Sequence, residues 1–429
     1  MAELKADVIV LGAGMVGVGA ALHLQQRGRD VILVDKHELA GEETSFGNAG
    51  MIECASVFPY MFPRDFREIL RYAMNSAPQV RYQFSDLPAF LPWLLRYYLA
   101  SAPDRALRGA LAVMPLIRRS LIEHEALIAE AGVPELMRRS GWIKMYRRDA
   151  TFAGALRDFE RARQYGVEGE VLDGRALIQR EPHLSGEFAG AIHFTEPGFV
   201  LDPGGLAKAY ATLFQRKGGR LVVGDAQTLQ QDSGGRWRVA TPDGAVSGRE
   251  AVVALGPWSD LVFGPLGYQI PLNVKRGYHL HLAPRGNAML NQPVLDADLG
   301  YVLAPMNRGI RLATGVEFAR RDAPPTPIPA ATRAAPGPRA IPAGRCDRRE
   351  TLDGRSAMSA GYAARDRQST ASCRAVVRFR PSPPRPDAWS GDRPAAGGND
   401  DGRDPVRRSR ALCRRALRLT ISAKSRPPG

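Results

Sequence analysis

Cysteine is scarce in most of this 429-residue sequence, which contains four in all. Only Cys54 precedes residue 327, because Cys346, Cys373 and Cys413 all lie in the C-terminal part. A single thiol excludes a disulfide framework for the long N-terminal part and is typical of a reducing compartment. The sequence also lacks an apolar run of about 18 residues and the segments of a signal peptide. These absences predict a cytoplasmic protein without a membrane-spanning helix.

Lysine is almost missing from the C-terminal region, where arginine carries the positive charge. Residues 327–429 contain 22 of the 59 basic residues and 9 of the 44 acidic residues, and Lys424 is the only lysine among those 22. This region therefore carries +13 of the net charge of +15, and the rest of the chain is nearly neutral. A surface that binds phosphates normally mixes lysine with arginine. The composition is more typical of GC-rich codons, and we predict no nucleic-acid partner.

The N-terminal residues have the pattern of a strand, a helix and a second strand. Val8–Leu11 is a short apolar run, typical of a buried strand, and the letters GAGMVG (12–17) follow at once. Val16–Gln26 is rich in alanine and leucine, and Gly28 stands where a helix ends. Val31–Val34 predicts a second buried strand. The segment therefore predicts a βαβ unit.

The glycines of this unit have the G-x-G-x-x-G spacing of a dinucleotide-binding turn. In such a turn Gly12 permits a tight bend, Gly14 lets the backbone approach a pyrophosphate, and Gly17 lets helix and strand pack closely. The helix N-terminus adds free N–H groups and the positive end of its dipole. Asp35, at the tip of the second strand, can accept hydrogen bonds from the adenosine ribose, and its charge disfavours the 2′-phosphate of NADP. A glycine-rich turn without a ligand is the alternative interpretation.

The N-terminal position of this fingerprint and the loop that follows it favour FAD over NAD. Thr44, Ser45 and Asn48 lie in the segment GEETSFGNAGMI (41–52), which can donate hydrogen bonds to phosphate and flavin. An ordinary surface turn is the alternative. Gly256 follows a predicted buried strand and marks either a second close approach to the cofactor or a simple turn. The predicted FAD-binding residues are Val10, Leu11, Gly12, Ala13, Gly14, Met15, Val16, Gly17, Asp35, Lys36, Thr44, Ser45, Asn48, Ala49 and Gly256.

Seven segments between residues 6 and 326 resemble the FAD-dependent D-amino-acid oxidase superfamily, and most of all its D-amino-acid dehydrogenase branch of the small-subunit type. They are VIVLGAGMVGVGAALHLQQRG, VILVDKHELAGEETSFGNAG, GWIKMYRRD, EPGFVLDPGGLAKAYATLFQRKGGRL, AVVALGPWSD, VKRGYHLHL and GIRLATGVEF. The first two are specific to FAD-binding superfamilies, and the others point to this branch less sharply. The resemblance implies an α/β fold. A Rossmann-like, doubly wound FAD-binding domain is interleaved in it with an antiparallel-sheet (α+β) substrate domain.

The resemblance and the composition divide the chain into five segments. Residues 1–52 are predicted to form the first part of the FAD-binding domain, and 53–220 mostly the substrate domain with a helical insertion. Residues 221–262 return to the FAD-binding domain as a meander and a strand. Residues 263–322 supply further strands of the substrate domain. Residues 323–429 are an aberrant tail rich in arginine, proline and alanine, which we expect to be irregular or disordered.

An aromatic and apolar segment, DLPAFLPWLLRYYLASAP (86–103), lies in a stretch that we predict to be helical. It is too short to span a bilayer, and we expect Pro88 and Pro92 to interrupt it. It predicts either a helix packed on the rest of the folded protein or a helix on a membrane surface. The second interpretation suits the electron acceptor that the resemblance implies, the respiratory chain through a quinone. It also suits peripheral contact with the inner face of the cell membrane.

Oxidation of an amine by a flavin requires little acid–base catalysis, because the protein mainly orients the substrate and excludes water. A substrate carboxylate favours an arginine with a tyrosine beside it. Arg276 and Tyr278 are predicted to share one face of a strand, although Arg276 can equally be a solvated or ion-paired residue. His279 and His281 share the opposite face, but no third ligand has a suitable spacing, and we predict no metal site. The substrate-side candidates are Arg276, Tyr278, Tyr301 and Arg311.

The C-terminal region lacks two motifs that the resemblance implies, an R-P-x-x-P-D-like piece and a later G-H-x-x-x-G-like piece. Both appear when synonymous codons are read one base out of frame. Residues 352–373 can then spell WMGARPCLPDMRPVIGKAPRH, 374–402 can spell GLWFAFGHHHHGLTLGPVTGRLLAEMMTG, and 404–417 can spell TPFADPAPYAAERF. Three matches in one frame and in family order predict a change of reading frame between residues 323 and 331. A disordered tail that binds nucleic acid or membrane and a flexible linker are the alternatives.

The resemblance implies an FAD-dependent oxidoreductase that acts on CH–NH2 donors. A D-amino acid would give a hydride from Cα to flavin N5, and the imine would hydrolyse to a 2-oxo acid and ammonia. One alternative is an oxidase or dehydrogenase of glycine, sarcosine or a D-hydroxyproline-like imino acid. The other is an inactive product of the frame change with a disordered basic tail.

Overall fold

A computed structural model describes residues 3–77, 80–284 and 287–324, and beyond them the backbone of three short strands. The strands are β1 (Leu4–Leu11), β2 (Val31–Asp35), β3 (Met51–Ile52), β4 (Val80–Tyr82), β5 (Met137–Arg138), β6 (Trp142–Tyr146), β7 (Gly169–Asp173), β8 (Gly190–Phe194), β9 (Gly198–Val200), β10 (Arg220–Val223), β11 (Asp225–Gln231), β12 (Trp237–Thr241), β13 (Gly244–Val253), β14 (Val274–Pro284), β15 (Val294–Asp296), β16 (Tyr301–Met306), β17 (Gly309–Phe318), β18 (Ala343–Cys346), β19 (Tyr362–Ala363) and β20 (Val377–Phe379). The helices are α1 (Met15–Gln25), α2 (Phe66–Ala73), α3 (Leu87–Ala100), α4 (Pro103–Ala131), α5 (Asp149–Arg163), α6 (Gly174–Arg180), α7 (Pro203–Arg216) and α8 (Asp260–Phe263).

One sheet, which we call the dinucleotide sheet, has the strand order β10-β2-β1-β13-β12-β11. Its first four strands are parallel, β12 and β11 continue it antiparallel, and β20 pairs antiparallel with β13. Val8 and Val10 of β1 pack towards α1 and α7, whereas Ile9 and Leu11 pack towards Trp237 and the other residues of the opposite core. Because β1 is buried on both faces, it appears in the sequence as a continuous apolar run.

A second sheet, the substrate sheet, has the order β18-β14-β17-β16-β15-β6-β8-β7, with β19 paired to β14 and β4 to β17. Its pairs are antiparallel except β15 with β6 and β17 with β4. Ile143 and Met145 of β6, Leu303 of β16 and Leu312 of β17 belong to its buried core. A small third sheet has the order β3-β9-β5, and its Ile52 and Val200 belong to the core of the dinucleotide sheet. The predicted α/β fold, a doubly wound sheet with an antiparallel sheet, is confirmed.

Helix α3 corrects one local prediction. We expected Pro88 and Pro92 to break the segment, but Leu87–Ala100 is a single helix. Pro88 lies in the first turn, where a backbone N–H has no partner inside the helix, so a proline costs little there. Pro92 lies on the exposed side of the helix. Among the helices of the described residues, none has the length and apolar character needed to cross a membrane.

The predicted limit between residues 220 and 221 falls inside β10. Helix α7, which lies before that limit, packs against α1, and its Tyr210 and Phe214 are fully buried in the core of the dinucleotide sheet. The last helix of the segment assigned to the substrate domain thus packs on the dinucleotide sheet. The tail predicted for residues 323–429 lies almost wholly outside the described residues.

Candidate FAD-binding site

The turn after β1 can be formed only by glycine at two of its positions. Gly12 has a φ of +101°, and a Cβ there would lie 2.7 Å from the carbonyl oxygen of Ala254. A Cβ on Gly17 would lie 1.7 Å from the carbonyl oxygen of Gly12. The turn and α1 are therefore packed against the carboxyl ends of β1 and β13, where the strand order of a doubly wound sheet reverses and ligands bind.

The N-terminus of α1 opens towards the cavity at this turn. Its N-cap residue is Gly14, which has no side chain to occupy the free N–H groups. Ser45 Oγ accepts a hydrogen bond from Met15 N at 3.0 Å, so this loop residue binds the first turn of the helix. The hydroxyl still has its own hydrogen to donate. Ser45 can therefore both orient the helix end and bind an anion there, of which only the second role was predicted.

Asp35 lies at the carboxyl end of β2 and shapes the same turn. Its Oδ2 accepts a hydrogen bond from Ala13 N at 2.6 Å, and its Oδ1 accepts one from His37 N at 2.9 Å. Each carboxylate oxygen has a second acceptor site, which remains suitable for a ribose hydroxyl. Beside it, Lys36 forms an ion pair with Glu43, and its ammonium lies 4.7 Å from the centre of the Trp258 ring.

The cavity joins the predicted turn to walls that the sequence patterns did not reveal. The predicted residues that line it are Gly12, Gly14, Met15, Val16, Asp35, Lys36, Thr44, Ser45, Asn48 and Gly256. Those that do not line it are Val10, Leu11, Ala13, Gly17 and Ala49, of which the first two are fully buried in β1. The further lining residues are His37, Gly41, Glu42, Glu43, Gly224, Asp225, Ala226, Gln227, Ala254, Leu255, Pro257, Trp258 and Leu261.

The loop from Thr44 to Gly50, which we call the FAD loop, is held by its own polar groups and by Arg311. Asn48 Nδ2 donates to Ser45 O at 2.8 Å, and Asn48 Oδ1 accepts from Gly50 N at 2.6 Å. The Asn48 side chain therefore braces the loop. A role for Asn48 as a donor to the cofactor stays a prediction.

The structure does not bring the four substrate-side candidates together. Arg276 donates to Glu317 Oε2 at 3.4 Å and to the carbonyl oxygens of Arg320, Ala323 and Pro324, and Tyr278 donates to the same Glu317. These contacts favour the alternative interpretation of Arg276, an ion-paired strand residue. Glu317 faces Arg276 across paired strands and was not among the predicted site residues.

Tyr301 and Arg311 lie apart from Arg276 and Tyr278, and each has its own set of contacts. Tyr301 lies beside the buried ion pair of Arg147 Nε and Asp296 Oδ2, which are 2.7 Å apart. Burial raises the pKa of Tyr301 to about 12, with Asp296 contributing to the shift. Arg311 is 3% exposed and contacts the FAD loop.

His279 and His281 lie between the substrate sheet and the FAD loop. His279 is 4% exposed, and its ring centre is 6.0 Å from that of Phe46. Burial, followed by the charge of Arg311, lowers the pKa of His279 to about 3, so this imidazole is neutral. His281 Nε2 accepts a hydrogen bond from Arg311 Nε at 3.3 Å, a contact that competes with metal binding at that nitrogen.

Comparison with known proteins agrees with the geometry of the cavity. The DAO family, described as FAD-dependent oxidoreductase, matches residues 7–419. The chain is 31% identical over 325 residues to a D-amino-acid oxidase from Bradyrhizobium diazoefficiens, an overlap of 74% of this chain and 76% of that protein. It is 32% identical over 283 residues to a D-amino acid dehydrogenase from Rhizorhabdus wittichii, an overlap of 64% of this chain and 66% of that protein.

Solved structures share the fold at lower sequence identity. Glycine oxidase from Geobacillus kaustophilus is 21% identical with a TM-score of 0.51, and the overlap covers 74% of this chain and 71% of that one. L-proline dehydrogenase from P. horikoshii is 18% identical with a TM-score of 0.54, covering 76% and 74%.

The residues of the cavity fit FAD. The glycine turn has no room for a Cβ at Gly12 or Gly17, the end of α1 presents N–H groups that could bind a pyrophosphate, and Asp35 lines the same cavity, where its carboxylate could accept from a ribose. These features and the match over most of the chain lead to one assignment. The chain belongs to the DAO family of FAD-dependent oxidoreductases, and its cofactor is FAD.

Proposed function

We propose that the protein is a D-amino-acid dehydrogenase, which converts a D-amino acid, water and an oxidised acceptor into a 2-oxo acid, ammonia and the reduced acceptor. The observation that carries this proposal is the likeness to a D-amino-acid oxidase and to D-amino acid dehydrogenases at about 30% identity. FAD supplies the acceptor for the hydride that leaves Cα. The amine gives up a proton in the same oxidation, and water then hydrolyses the imine.

The residues of this chain support the reaction by holding and orienting the cofactor. We infer that the N-terminus of α1 and Ser45 bind the pyrophosphate and that Asp35 binds the ribose, because all three line one cavity. The substrate sheet contacts the FAD loop through Arg311, which ties β17 to that loop. Amine oxidation on a flavin needs mainly this orientation and the exclusion of water.

A substrate panel tests the proposed reaction. The protein, reconstituted with FAD, is given D-amino acids, their L-enantiomers, glycine, sarcosine and D-hydroxyproline with an artificial electron acceptor, and 2-oxo acids are measured. We expect D-amino acids to be turned over and L-enantiomers to be inert. Turnover limited to glycine, sarcosine or imino acids would instead establish the alternative amine substrates. No turnover at all, with FAD bound, would contradict both.

We further propose that the electrons pass to a membrane quinone and that α2 and α3 provide peripheral membrane contact. Large apolar side chains recur at intervals of four residues along both helices and are exposed to solvent: Phe66 and Leu70 on α2 with Met74 directly after its end, and Leu91, Leu95 and Leu99 on α3. Exposed arginines at positions 67, 71 and 96 accompany them. An apolar helix face with flanking cations is typical of helices that lie on anionic membranes.

Vesicle binding tests this surface. A variant with Leu91→Ser, Leu95→Ser and Leu99→Ser should sediment at least about tenfold less with anionic phospholipid vesicles, because each leucine contributes apolar burial. Val171→Ser, at an equally exposed residue of β7, is the matched control and should bind as the parent does. Equal binding of all three proteins would exclude α3 as the contact. Unchanged turnover with a soluble acceptor would show that the enzyme itself is intact.

A further inference from the structure

Arg311 connects the substrate sheet with the FAD loop. It lies on β17 and is 3% exposed. One of its nitrogens, Nη1, donates to Phe46 O at 2.7 Å and to Asn48 O at 2.6 Å, and the guanidinium lies 5.6 Å from the centre of the Phe46 ring. These carbonyl groups belong to the loop, 263 and 265 residues away in the sequence. The arginine therefore fixes a distant loop through backbone groups.

The contacts continue from this loop to the pyrophosphate-binding helix. Asn48, whose carbonyl accepts from Arg311, donates its amide to Ser45 O at 2.8 Å. Ser45 Oγ accepts from Met15 N, the first N–H of α1, at 3.0 Å. A continuous series of hydrogen bonds thus runs from β17 to the helix end where the pyrophosphate binds. Each step is made by a buried or half-buried group, so water competes weakly with it.

The loop is also held outside its contacts with Arg311, because Phe46 N donates to Glu43 O at 3.0 Å and Val200 N donates to Gly50 O at 2.8 Å. Gly50 has a φ of +77°, which favours glycine, and its N–H is already bound to Asn48 Oδ1. If the arginine were lost, two carbonyl oxygens next to the cavity would lose a charged donor, and buried polar groups without a partner are costly. The loop would then relax most readily at Phe46 and Asn48, and Ser45 would move with them.

We propose that Arg311 is a positioning residue for the cofactor, which couples the substrate sheet to pyrophosphate binding by holding the FAD loop against α1. Arg311 was predicted as a substrate-side residue. The contacts assign it to the loop instead. The proposal goes beyond the substrate assignment, since it concerns how FAD is held whatever amine is oxidised.

Titration of the apoprotein with FAD tests the proposal. Arg311→Lys keeps the charge but lacks the planar guanidinium group with its several donors. We therefore expect about tenfold weaker FAD binding. Arg311→Met removes all donors, and we expect about a hundredfold weaker binding. Hydrogen exchange is measured in parallel on the apoproteins of the parent and of both variants. The amides of residues 45–50 should exchange faster in the variants, whereas those of β6 and β8 should not change.

Arg147→Lys is the matched control. Arg147 is another little-exposed arginine of the substrate part, it binds Asp296 at 2.7 Å, and it does not line the cavity. This variant should melt at a lower temperature and bind FAD as the parent does. A merely structural role of Arg311 would produce the same result for Arg311→Met, namely lower stability with unchanged affinity in the folded fraction.

A double-mutant cycle with Ser45→Ala shows whether Arg311 acts on FAD binding through Ser45 or whether the two residues contribute independently. If Arg311 acts through Ser45, the double variant Arg311→Met/Ser45→Ala should bind FAD only a few fold more weakly than Arg311→Met alone. Multiplicative losses, or FAD affinity within twofold of the parent in Arg311→Met, would overturn the proposal. If the parent itself bound no FAD, the assignment of FAD as the cofactor of this chain would fail separately, and unchanged loop exchange in the apoproteins would still overturn the role of Arg311.

Discussion

The two large sheets use their polar residues in opposite ways. At the carboxyl ends of the dinucleotide sheet, Asp35 and Ser45 bind backbone N–H groups and keep capacity for a ligand. In the substrate sheet, buried charges bind each other or a neighbouring carbonyl, as Arg276 does with Glu317 and Arg147 with Asp296. The backbone N–H groups at a glycine turn stay available to a ligand. A buried charged side chain, by contrast, is costly unless it is paired within the protein. A motif of glycines is therefore the better sequence signal for a ligand.

The largest effect should come from adding a side chain in the glycine turn after β1. Gly17→Ala places a Cβ 1.7 Å from Gly12 O, so turn and helix must separate, and we expect at least a hundredfold loss of FAD affinity. Gly19→Ala lies in the same helix with no atom within 4 Å of the new Cβ. It should keep FAD and gain about 0.5–1 kcal/mol of stability. Flavin absorbance after reconstitution, near ~450 nm, measures both. Equal flavin content would contradict the role given to the turn.

Restoring the predicted reading frame should also strengthen FAD binding. In that frame residues 377–379 would read FAF in place of VRF, and these residues form β20, which pairs with Ala251–Val253 of β13. An apolar strand suits β13, whose residues Ala251–Val253 are buried, and we expect at least tenfold tighter FAD binding in the restored chain. Resequencing of codons 320–335 checks the frame itself. An unaltered gene would mean a true mutation in place of a sequencing error, whereas unaltered affinity in the restored chain would speak against the frame change.

The difference between the sheets explains what could be predicted. Gly12, Gly17 and Asp35 are constrained by a local unit of about thirty residues, so their spacing in the sequence is sufficient. The wall formed by residues 224–227 follows from the pairing of β10 with β2, a contact between distant segments that no spacing reveals. The role of Arg311 likewise depends on a loop 263 residues away. Strand alternation predicted that Arg276 and Tyr278 share a face. It did not predict that both side chains donate hydrogen bonds to Glu317.

Arg276 should affect stability more than substrate binding. Its side chain is 9% exposed and that of Glu317 is 3% exposed, so Arg276→Met leaves a buried carboxylate without its cation and should cost about 3–5 kcal/mol. The double variant Arg276→Met/Glu317→Leu should recover most of that loss, because it removes both charges. Urea unfolding measures the stabilities. If Arg276→Lys instead raised KM about tenfold or more without loss of stability, the original interpretation of Arg276 as the carboxylate-binding residue would be correct.

The smaller of the two expected effects on stability concerns the neutral histidine behind the FAD loop. Burial lowers the pKa of His279 from 6.5 to about 3, so the unfolded chain binds a proton at a higher pH than the folded one. Its contribution to stability is complete above pH 6.5 and is lost as the pH falls towards 3, by about 2 kcal/mol at pH 5. His279→Gln, which cannot be protonated, should reduce the loss of stability between pH 7 and pH 5 by that amount. Some loss should persist, because burial also lowers the pKa of His124, to about 4. Urea unfolding at both pH values measures the difference, and an identical loss in parent and variant would show that His279 is not held neutral by its burial against Arg311 and Phe46.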